Sequence, residues 1–268
     1  GHPGIVLGAA STLYELYHNH LKATPEHPNW FNRDRFFLAA GHGSALLYSI
    51  LHVTGYNLKM DDLKQFRQVG SLTPGHPEFG HTDGVDSTTG PLGQGIAMAV
   101  GNALAESYLA AKFNRGNLNV IDHYTYALCG DGDLQEGVTL EAFSIAGRYQ
   151  LNKLIVLFDS NDIQLDGPTK NANKDDIQMK LESMNWKYYL VEKPNDIESL
   201  NSVLIEAKKS TKPVFIEVKS IIGFGAKDQG KSSTHGAPIG EEETALMRAR
   251  MGYHFPPFEV SKEVYDDF

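Results

Sequence analysis

Two turns that carry oxygen ligands each follow a short apolar run of the chain. Asp131 lies in a Gly-Asp-Gly turn after one run, and Asn161 follows the apolar run 154–158, 30 positions further on (161 against 131). Mg²⁺ prefers carboxylate, amide and carbonyl oxygens and commonly shares its shell with the phosphates of a substrate. The sequence therefore predicts that Asp131, the amide oxygen of Asn161 and the backbone carbonyl of Ile163 hold a divalent metal, with room for a diphosphate group.

The elements that must position these turns are two predicted strands. Residues 124–129 and 154–158 are continuous apolar runs, which are typical of strands buried on both faces of a parallel sheet. In open α/β sheets, ligands bind outside the carboxyl ends of the strands, which is where both turns fall. Gly-Asp-Gly is also an ordinary turn sequence, so the tripeptide alone is weak evidence.

The rest of the chain alternates between helical and extended patterns. Apolar residues at helical spacing predict helices, and the alternation of Val214, Ile216 and Val218 with other residues predicts a strand. The expected helices are 4–20, 45–53, 61–69, 138–149, one that begins near 241, and two with one apolar face each, from Ile96 to Tyr108 and from Ile197 to Ala207. The further expected strands are 35–40, the segment KYYLV and 213–222.

Several longer motifs accompany the metal-binding pattern. Together with the spacing of Asp131, Asn161 and Ile163, which resembles the thiamine diphosphate motif, they resemble the transketolase family from Gly1 to Phe268. The resemblance implies an α/β three-layer sandwich with a mostly parallel sheet, the thiamine diphosphate-binding fold. It also implies thiamine diphosphate and Mg²⁺ as cofactors, with Ca²⁺ or Mn²⁺ as alternative metals. The motifs are FNRDRF, AGHGSALLY, TPGHPE, TTGPLGQG and HGAPIG.

Family chemistry would be the transfer of a two-carbon ketol unit from a ketose phosphate to an aldose phosphate in the pentose phosphate pathway. The resemblance implies a cytoplasmic enzyme that works as a homodimer. It implies that His42 and Gly132 face the diphosphate and that Gly90 and Leu92 lie near the aminopyrimidine. His2, His76 and His235 would contact the donor sugar, and His235 would also lie near the diphosphate.

Each of these residues also has a purely structural interpretation. His42, at a predicted helix start, could be a surface residue beside a cap, and His76 could be a solvent-exposed loop residue between two prolines. Glu136 precedes a helix, where a carboxylate commonly compensates the helix dipole. In the family the matching glutamate belongs to a carboxylate link between the two active sites of a dimer, and the resemblance gives Glu136 that role.

A competing motif occurs near the end of the chain. Residues 225–232, GAKDQGKS, fit the P-loop pattern of nucleotide hydrolases, and the strand before Asp159 could serve as a Walker B strand. A P-loop must lead directly into a helix, whereas the sequence here continues through Pro238 and the next helix is expected only near 241. The Walker B candidate also precedes the P-loop, which reverses the usual order. A nucleotide hydrolase is therefore the runner-up.

Composition limits the possible partners. The chain has 268 residues, a formal net charge of −9 and a single cysteine, Cys129. An acidic chain lacks the basic surface that nucleic acid binding requires, and no apolar run is long enough to cross a membrane. One cysteine cannot form an intrachain disulfide, which suits a reducing compartment such as the cytoplasm.

We expect residues 1–268 to form a single diphosphate-binding domain. The sequence begins at Gly1 without an initiator methionine, and no segment matches the family's pyrimidine-binding domain, its activating glutamate or its C-terminal domain. The expectation is half an active site, which binds the cofactor but is inactive until the pyrimidine-binding domain or subunit is supplied. The other alternative is a noncatalytic cofactor-binding subunit.

Overall fold

The computed structural model describes residues 1–268 and contains one large and one small sheet. Seven strands are present: β1 (Arg35–Leu38), β2 (Thr125–Cys129), β3 (Leu154–Ser160), β4 (Ile163–Gln164), β5 (Gly167–Pro168), β6 (Lys187–Val191) and β7 (Val214–Lys219). The α-helices are α1 (Pro3–Gly8), α2 (Ala10–Glu15), α3 (Ser44–Val53), α4 (Met60–Lys64), α5 (Gln94–Phe113), α6 (Asp131–Leu134), α7 (Gly137–Arg148), α8 (Ile177–Ser183), α9 (Ile197–Ala207), α10 (Glu241–Arg250) and α11 (Lys262–Asp267).

The large sheet has the strand order β1-β2-β3-β7-β6, and every neighbouring pair in it is parallel. The small sheet is the antiparallel hairpin of β4 and β5. β2 and β3 are adjacent and in register, with Cys129 opposite Phe158. The turns that follow these two strands therefore emerge side by side at the carboxyl edge.

Helices cover both faces of the large sheet. Successive side chains of a strand point to opposite faces, and along β3 Ile155 and Leu157 enter one core while Val156 and Phe158 enter the other. The first core is completed by residues of α1, α2, α3 and α9, and the second by residues of α5, α7 and α8. This confirms the predicted α/β fold with helices on both sides of a mostly parallel sheet.

Two predicted helices are shorter than expected. The expected helix 4–20 is divided into α1, α2 and a π-helical turn, Leu16–His20, with the first break at Ala9. The expected helix 61–69 ends at Lys64. Arg67 takes a left-handed conformation with φ 64°, and its N–H donates to the carbonyl of Thr73 at 2.9 Å, which reverses the chain.

The strands expected at 35–40 and 213–222 end earlier, at Leu38 and Lys219, whereas the strand expected at 154–158 continues to Ser160. No helix in the structure combines the length and the apolar character that a membrane crossing requires.

Candidate functional site

A cavity of about 280 Å³ opens at the carboxyl edge of β2 and β3. It brings together most of the residues that the sequence singled out. Its lining includes Asp131, Asn161, Ile163, Gly132, Leu92, His42, His235 and Glu136. Residues separated by up to about 190 positions in the chain therefore share one cavity, as the parallel topology requires.

The Gly-Asp-Gly turn is held by a residue that the sequence analysis did not single out. Asp133 is fully buried, and its carboxylate accepts the N–H of Gly130 at 3.0 Å and the N–H of Gly93 at 2.8 Å. Its first bond closes the turn after β2, and its second ties that turn to the loop before α5. Asp133 stands three residues after Gly130, the residue that precedes α6, and a carboxylate at this spacing can accept the N–H of the residue before a helix, which could have identified it.

Asp131 differs from Asp133 because part of its carboxylate has no partner. Its Oδ2 atom is buried and makes no hydrogen bond. Burial raises the pKa of Asp131 to about 7, because the ionised carboxylate loses its water there, and the nearby Thr169 hydroxyl and Lys219 ammonium offset only part of that loss. A buried carboxylate oxygen without a donor is an atom that a cation would satisfy.

Asn161 is oriented by a second buried carboxylate. Asp159 accepts the Asn161 Nδ2–H at 2.8 Å and the Ser220 hydroxyl at 2.5 Å. The amide nitrogen is thereby used, and Oδ1, which accepts the N–H of Ile163 at 3.0 Å, keeps a lone pair. Burial raises the pKa of Asp159 to about 6. Asp159 therefore fixes which end of the amide faces the cavity.

The donor set fits a hard divalent cation that brings phosphate ligands with it. The structure contains no group of three or more His, Cys, Asp or Glu side chains that could hold a metal by themselves. Asp131, Asn161 and Ile163 instead offer one carboxylate, one amide and one carbonyl oxygen. Mg²⁺ commonly takes such a partial protein shell and completes it with phosphate oxygens and water.

Two glycines allow the loop before α5 to approach the strand-end turns. A Cβ atom on Gly132 would lie 2.6 Å from Leu92 Cδ1, and one on Gly41 would lie 2.8 Å from the backbone nitrogen of Gly90. The contact at Gly41 is with backbone and excludes a larger side chain there, whereas a larger residue at Gly132 would force the end of the Leu92 side chain to move. Gly90 and Leu92 are thereby packed against the turns that carry Asp131 and His42.

Three imidazoles form a cluster in which His42 and His235 line the cavity and His2, outside its lining, packs against both. The ring centroids of His2 and His42 are 5.1 Å apart, those of His2 and His235 5.5 Å, and those of His42 and His235 5.3 Å. Burial, followed by repulsion from neighbouring positive groups, lowers the pKa of His2 to about 4 and that of His42 to about 3. Burial also lowers the pKa of His235. The cluster is therefore neutral at pH 7.

His76 lies outside the cavity but beside the cluster. Its ring packs against Gly90, where a Cβ atom would lie 3.4 Å from the ring carbon Cδ2. Burial and the nearby guanidinium of Arg67 lower its pKa, and it is one of the groups that lower the pKa of His2 and His42. His76 is thus a fourth neutral imidazole on the same side of the site.

Glu136 is exposed at the first turn of α7 and makes no capping hydrogen bond through its side chain. The base of its side chain packs closely against Gly93, where a Cβ atom would lie 2.7 Å from Glu136 Cβ. The side chain is thus held at the rim of the cavity with its carboxylate free.

Comparison with known proteins agrees with this geometry. The sequence matches the family described as "Transketolase, thiamine diphosphate binding domain" over residues 1–268. The chain belongs to the transketolase family. It is 54% identical over 271 residues to the transketolase of Bacillus subtilis and 53% identical over 270 residues to the probable transketolase of Streptococcus pneumoniae, in each case over 100% of this chain and 41% of the relative.

Solved transketolase structures share the fold. The chain superposes on transketolase from Leishmania mexicana with a TM-score of 0.98 and 48% identity, over 100% of this chain and 40% of that one. It superposes on a Pichia stipitis transketolase, solved in complex with sedoheptulose 7-phosphate, with a TM-score of 0.97 and 42% identity, over 99% and 40%. The chain thus spans about two fifths of the transketolases it matches.

The P-loop alternative is wrong. Residues 225–232 lead into a short 3₁₀ turn, Ser232–Thr234, and α10 begins only at Glu241. The Nζ atom of Lys231, the residue that would contact phosphates, is bonded to exposed Asp228 at 2.7 Å. Neither a phosphate cradle nor an adjoining helix N-terminus is present. The comparisons with transketolases likewise give no support to a noncatalytic subunit.

Proposed function

We propose that this chain supplies the metal and diphosphate half of an active site that transfers a two-carbon ketol unit between sugar phosphates. The observation that carries the proposal is the buried, unpartnered Oδ2 atom of Asp131, in the same cavity as Asn161, Gly132 and His42. The sugar phosphate in the Pichia stipitis structure supports the substrate class.

Asp131, Asn161 and Ile163 would hold Mg²⁺, with Ca²⁺ or Mn²⁺ as alternatives, and Gly132 and His42 would face the diphosphate. Thiamine diphosphate, when bound, supplies the electron sink that the two-carbon fragment needs. Gly90 and Leu92 would line the space for its aminopyrimidine, because close packing fixes them beside Gly41 and Gly132. The protein's contribution is to position these groups and to keep the site dry.

His2, His76 and His235 would contact the hydroxyl groups of the donor sugar, and His235 would also approach the diphosphate. A neutral imidazole has one nitrogen that donates and one that accepts, so it can take either part in a hydrogen bond to a hydroxyl group. The lowered pKa values of all three keep them in this form at pH 7. They can therefore also carry a proton to or from the substrate.

The second half of the site would come from a pyrimidine-binding domain, within a full enzyme that is a homodimer. Helix α5 and helix α7, which begins directly after Glu136, both expose large apolar side chains, which are candidates for contact with another domain. These side chains are Met98, Leu104, Tyr108, Val138 and Ile145. Glu136 would then meet a carboxylate across that interface and link the two sites. Buried, reduced Cys129 suits a cytoplasmic location for an enzyme of the pentose phosphate pathway.

The experiment separates cofactor binding from catalysis. This chain, with saturating Mg²⁺ and thiamine diphosphate, should bind the cofactor but not accelerate deuterium exchange at the thiazolium carbon, which NMR follows. No side chain that we assign to the cavity supplies the glutamate that activates the cofactor in the family, and proton movement requires a group within hydrogen-bond reach.

Adding the remaining part of the enzyme as a second polypeptide should restore both exchange and ketol transfer. Strong exchange by the isolated chain would place the catalytic base within residues 1–268 and contradict the half-site proposal. Absence of cofactor binding by the isolated chain would contradict the assignment of the cavity itself.

A further inference from the structure

The loop that carries His76 is fastened to α3 through three consecutive backbone carbonyls. The Tyr48 hydroxyl lies 2.9 Å from the carbonyl oxygen of Pro74 and 3.3 Å from that of His76, and the Ser44 hydroxyl donates to the carbonyl of Gly75 at 2.8 Å. Ser44 and Tyr48 are four residues apart, so they lie on the same face of the helix. Both side chains are buried.

The same helix begins immediately after His42. His42 lies in the 3₁₀ turn Gly41–Gly43, and α3 starts at Ser44. One rigid element therefore determines the position of His42 through the backbone and that of His76 through Tyr48 and Ser44. Without these hydroxyls, the carbonyls of residues 74–76 would retain only the Arg67 guanidinium, at 3.3 Å from the Gly75 carbonyl, while the flanking Thr73 and Pro77 keep their own hydrogen bonds.

We infer that Tyr48 is a positioning residue for donor-sugar recognition, acting through the carbonyls of residues 74–76 to place the His76 imidazole against Gly90. Ser44 acts in the same way on the middle carbonyl. The inference rests on the proposed role of His76 in binding the donor. It assigns Tyr48 no contact with substrate or cofactor, because its hydroxyl is occupied by the loop.

A buried tyrosine elsewhere in the chain provides a matched control. Tyr126 is fully buried, and its hydroxyl has no hydrogen-bond partner. Tyr126→Phe and Tyr48→Phe each remove one buried hydroxyl and leave the ring in place. Only Tyr48→Phe removes a hydrogen bond to the backbone carbonyls of the loop that carries His76.

The test uses the full-length enzyme that contains this chain. Tyr48→Phe should raise the donor KM about three- to tenfold, the range expected for the loss of one intramolecular hydrogen bond. The dissociation constant for thiamine diphosphate with Mg²⁺, measured by calorimetry, should change less than about twofold, since His42 stays in place. Tyr126→Phe should leave both quantities unchanged, and Ser44→Ala should raise the donor KM by a smaller factor.

A double-mutant cycle separates positioning from general destabilisation. In a His76→Ala background, Tyr48→Phe should add no further increase in donor KM, because its effect passes through His76. Additive effects, or equal changes for Tyr48→Phe and Tyr126→Phe, would overturn the inference. If the wild-type enzyme neither binds thiamine diphosphate nor transfers a ketol unit, the proposed function fails instead, which the same calorimetry and assay reveal.

Discussion

The two walls of the cavity achieve preorganisation by opposite means. On the metal wall, Asp133 and Asp159 are buried carboxylates whose oxygens accept N–H and O–H groups at 2.5–3.0 Å. On the histidine wall, His2, His42 and His235 pack ring against ring, and none of them pairs with a carboxylate. The metal wall thus offers fixed acceptor oxygens to a cation, and the histidine wall offers neutral rings.

This difference separates the tasks that each wall can perform. A cation with phosphates needs fixed anionic and neutral oxygens, whereas a sugar with several hydroxyl groups needs partners that donate and accept. If the division is correct, substitutions on the metal wall should act on cofactor binding. Substitution of His76, beside the histidine wall, should instead weaken binding of the donor sugar.

The largest effect is expected at the metal wall. Asp131→Ala should weaken Mg²⁺-dependent binding of thiamine diphosphate by more than about a hundredfold, since even outer partners of metal ligands typically contribute 10- to 100-fold. Calorimetry with Mg²⁺ present measures the change. Asp83→Ala, at an exposed aspartate outside the site, is the matched control. Unchanged affinity of Asp131→Ala for thiamine diphosphate would contradict the assignment of Asp131 as a metal ligand.

In the absence of metal, the ionised carboxylate of Asp131 should lower the stability of the folded chain. The folded-state pKa of Asp131, about 7, lies above its ordinary value of 3.8, so the folded chain binds more protons between about pH 4 and 7. Wild-type stability is therefore lost as the pH rises through this window. Asp131→Asn removes the charge and should stabilise the metal-free chain by up to about 4 kcal/mol above pH 7, since each pKa unit corresponds to about 1.4 kcal/mol.

This gain from Asp131→Asn should fade toward pH 4, where the carboxyl group is protonated in the wild type. Urea unfolding at a series of pH values, with chelator present, measures it. Asp83→Asn should show no such pH-dependent gain. If Asp131→Asn were instead less stable than the wild type at pH 8, the Oδ2 atom of Asp131 would have to be stabilised by a partner that the structure does not show.

The smallest effects distinguish His42, on the histidine wall, from His76, which lies beside that wall and outside the cavity. His42→Ala should raise the dissociation constant for thiamine diphosphate about tenfold, whereas His76→Ala in the full enzyme should raise the donor KM by a similar factor and leave cofactor affinity nearly unchanged. Exposed His27 offers the control substitution His27→Ala. Equal losses of cofactor affinity in His42→Ala and His76→Ala would contradict the assignment of separate roles to the two histidines.

Much of the site could be predicted from local patterns. Apolar runs identified the strands before Asp131 and Asn161, and parallel topology brought their turns together. The supporting residues could not be predicted in this way. Asp133 reaches Gly93 across 40 positions and Asp159 reaches Ser220 across 61, and such contacts exist only once the sheet and its loops have assembled. The same applies to Arg67, whose left-handed backbone and bond to Thr73 reverse the chain after α4, where apolar spacing alone would continue the helix.

The carboxylate of Asp133 also couples the movements of two backbone segments of the site. Gly93 and Gly130 donate their amide hydrogens to its two oxygens, so neither amide can meet solvent without disturbing the same buried group. Breaking one bond leaves a desolvated charge half satisfied, which makes release of the other more favourable. The loop before α5 and the turn after β2 should therefore open together, and their amides should exchange hydrogen in one event rather than two.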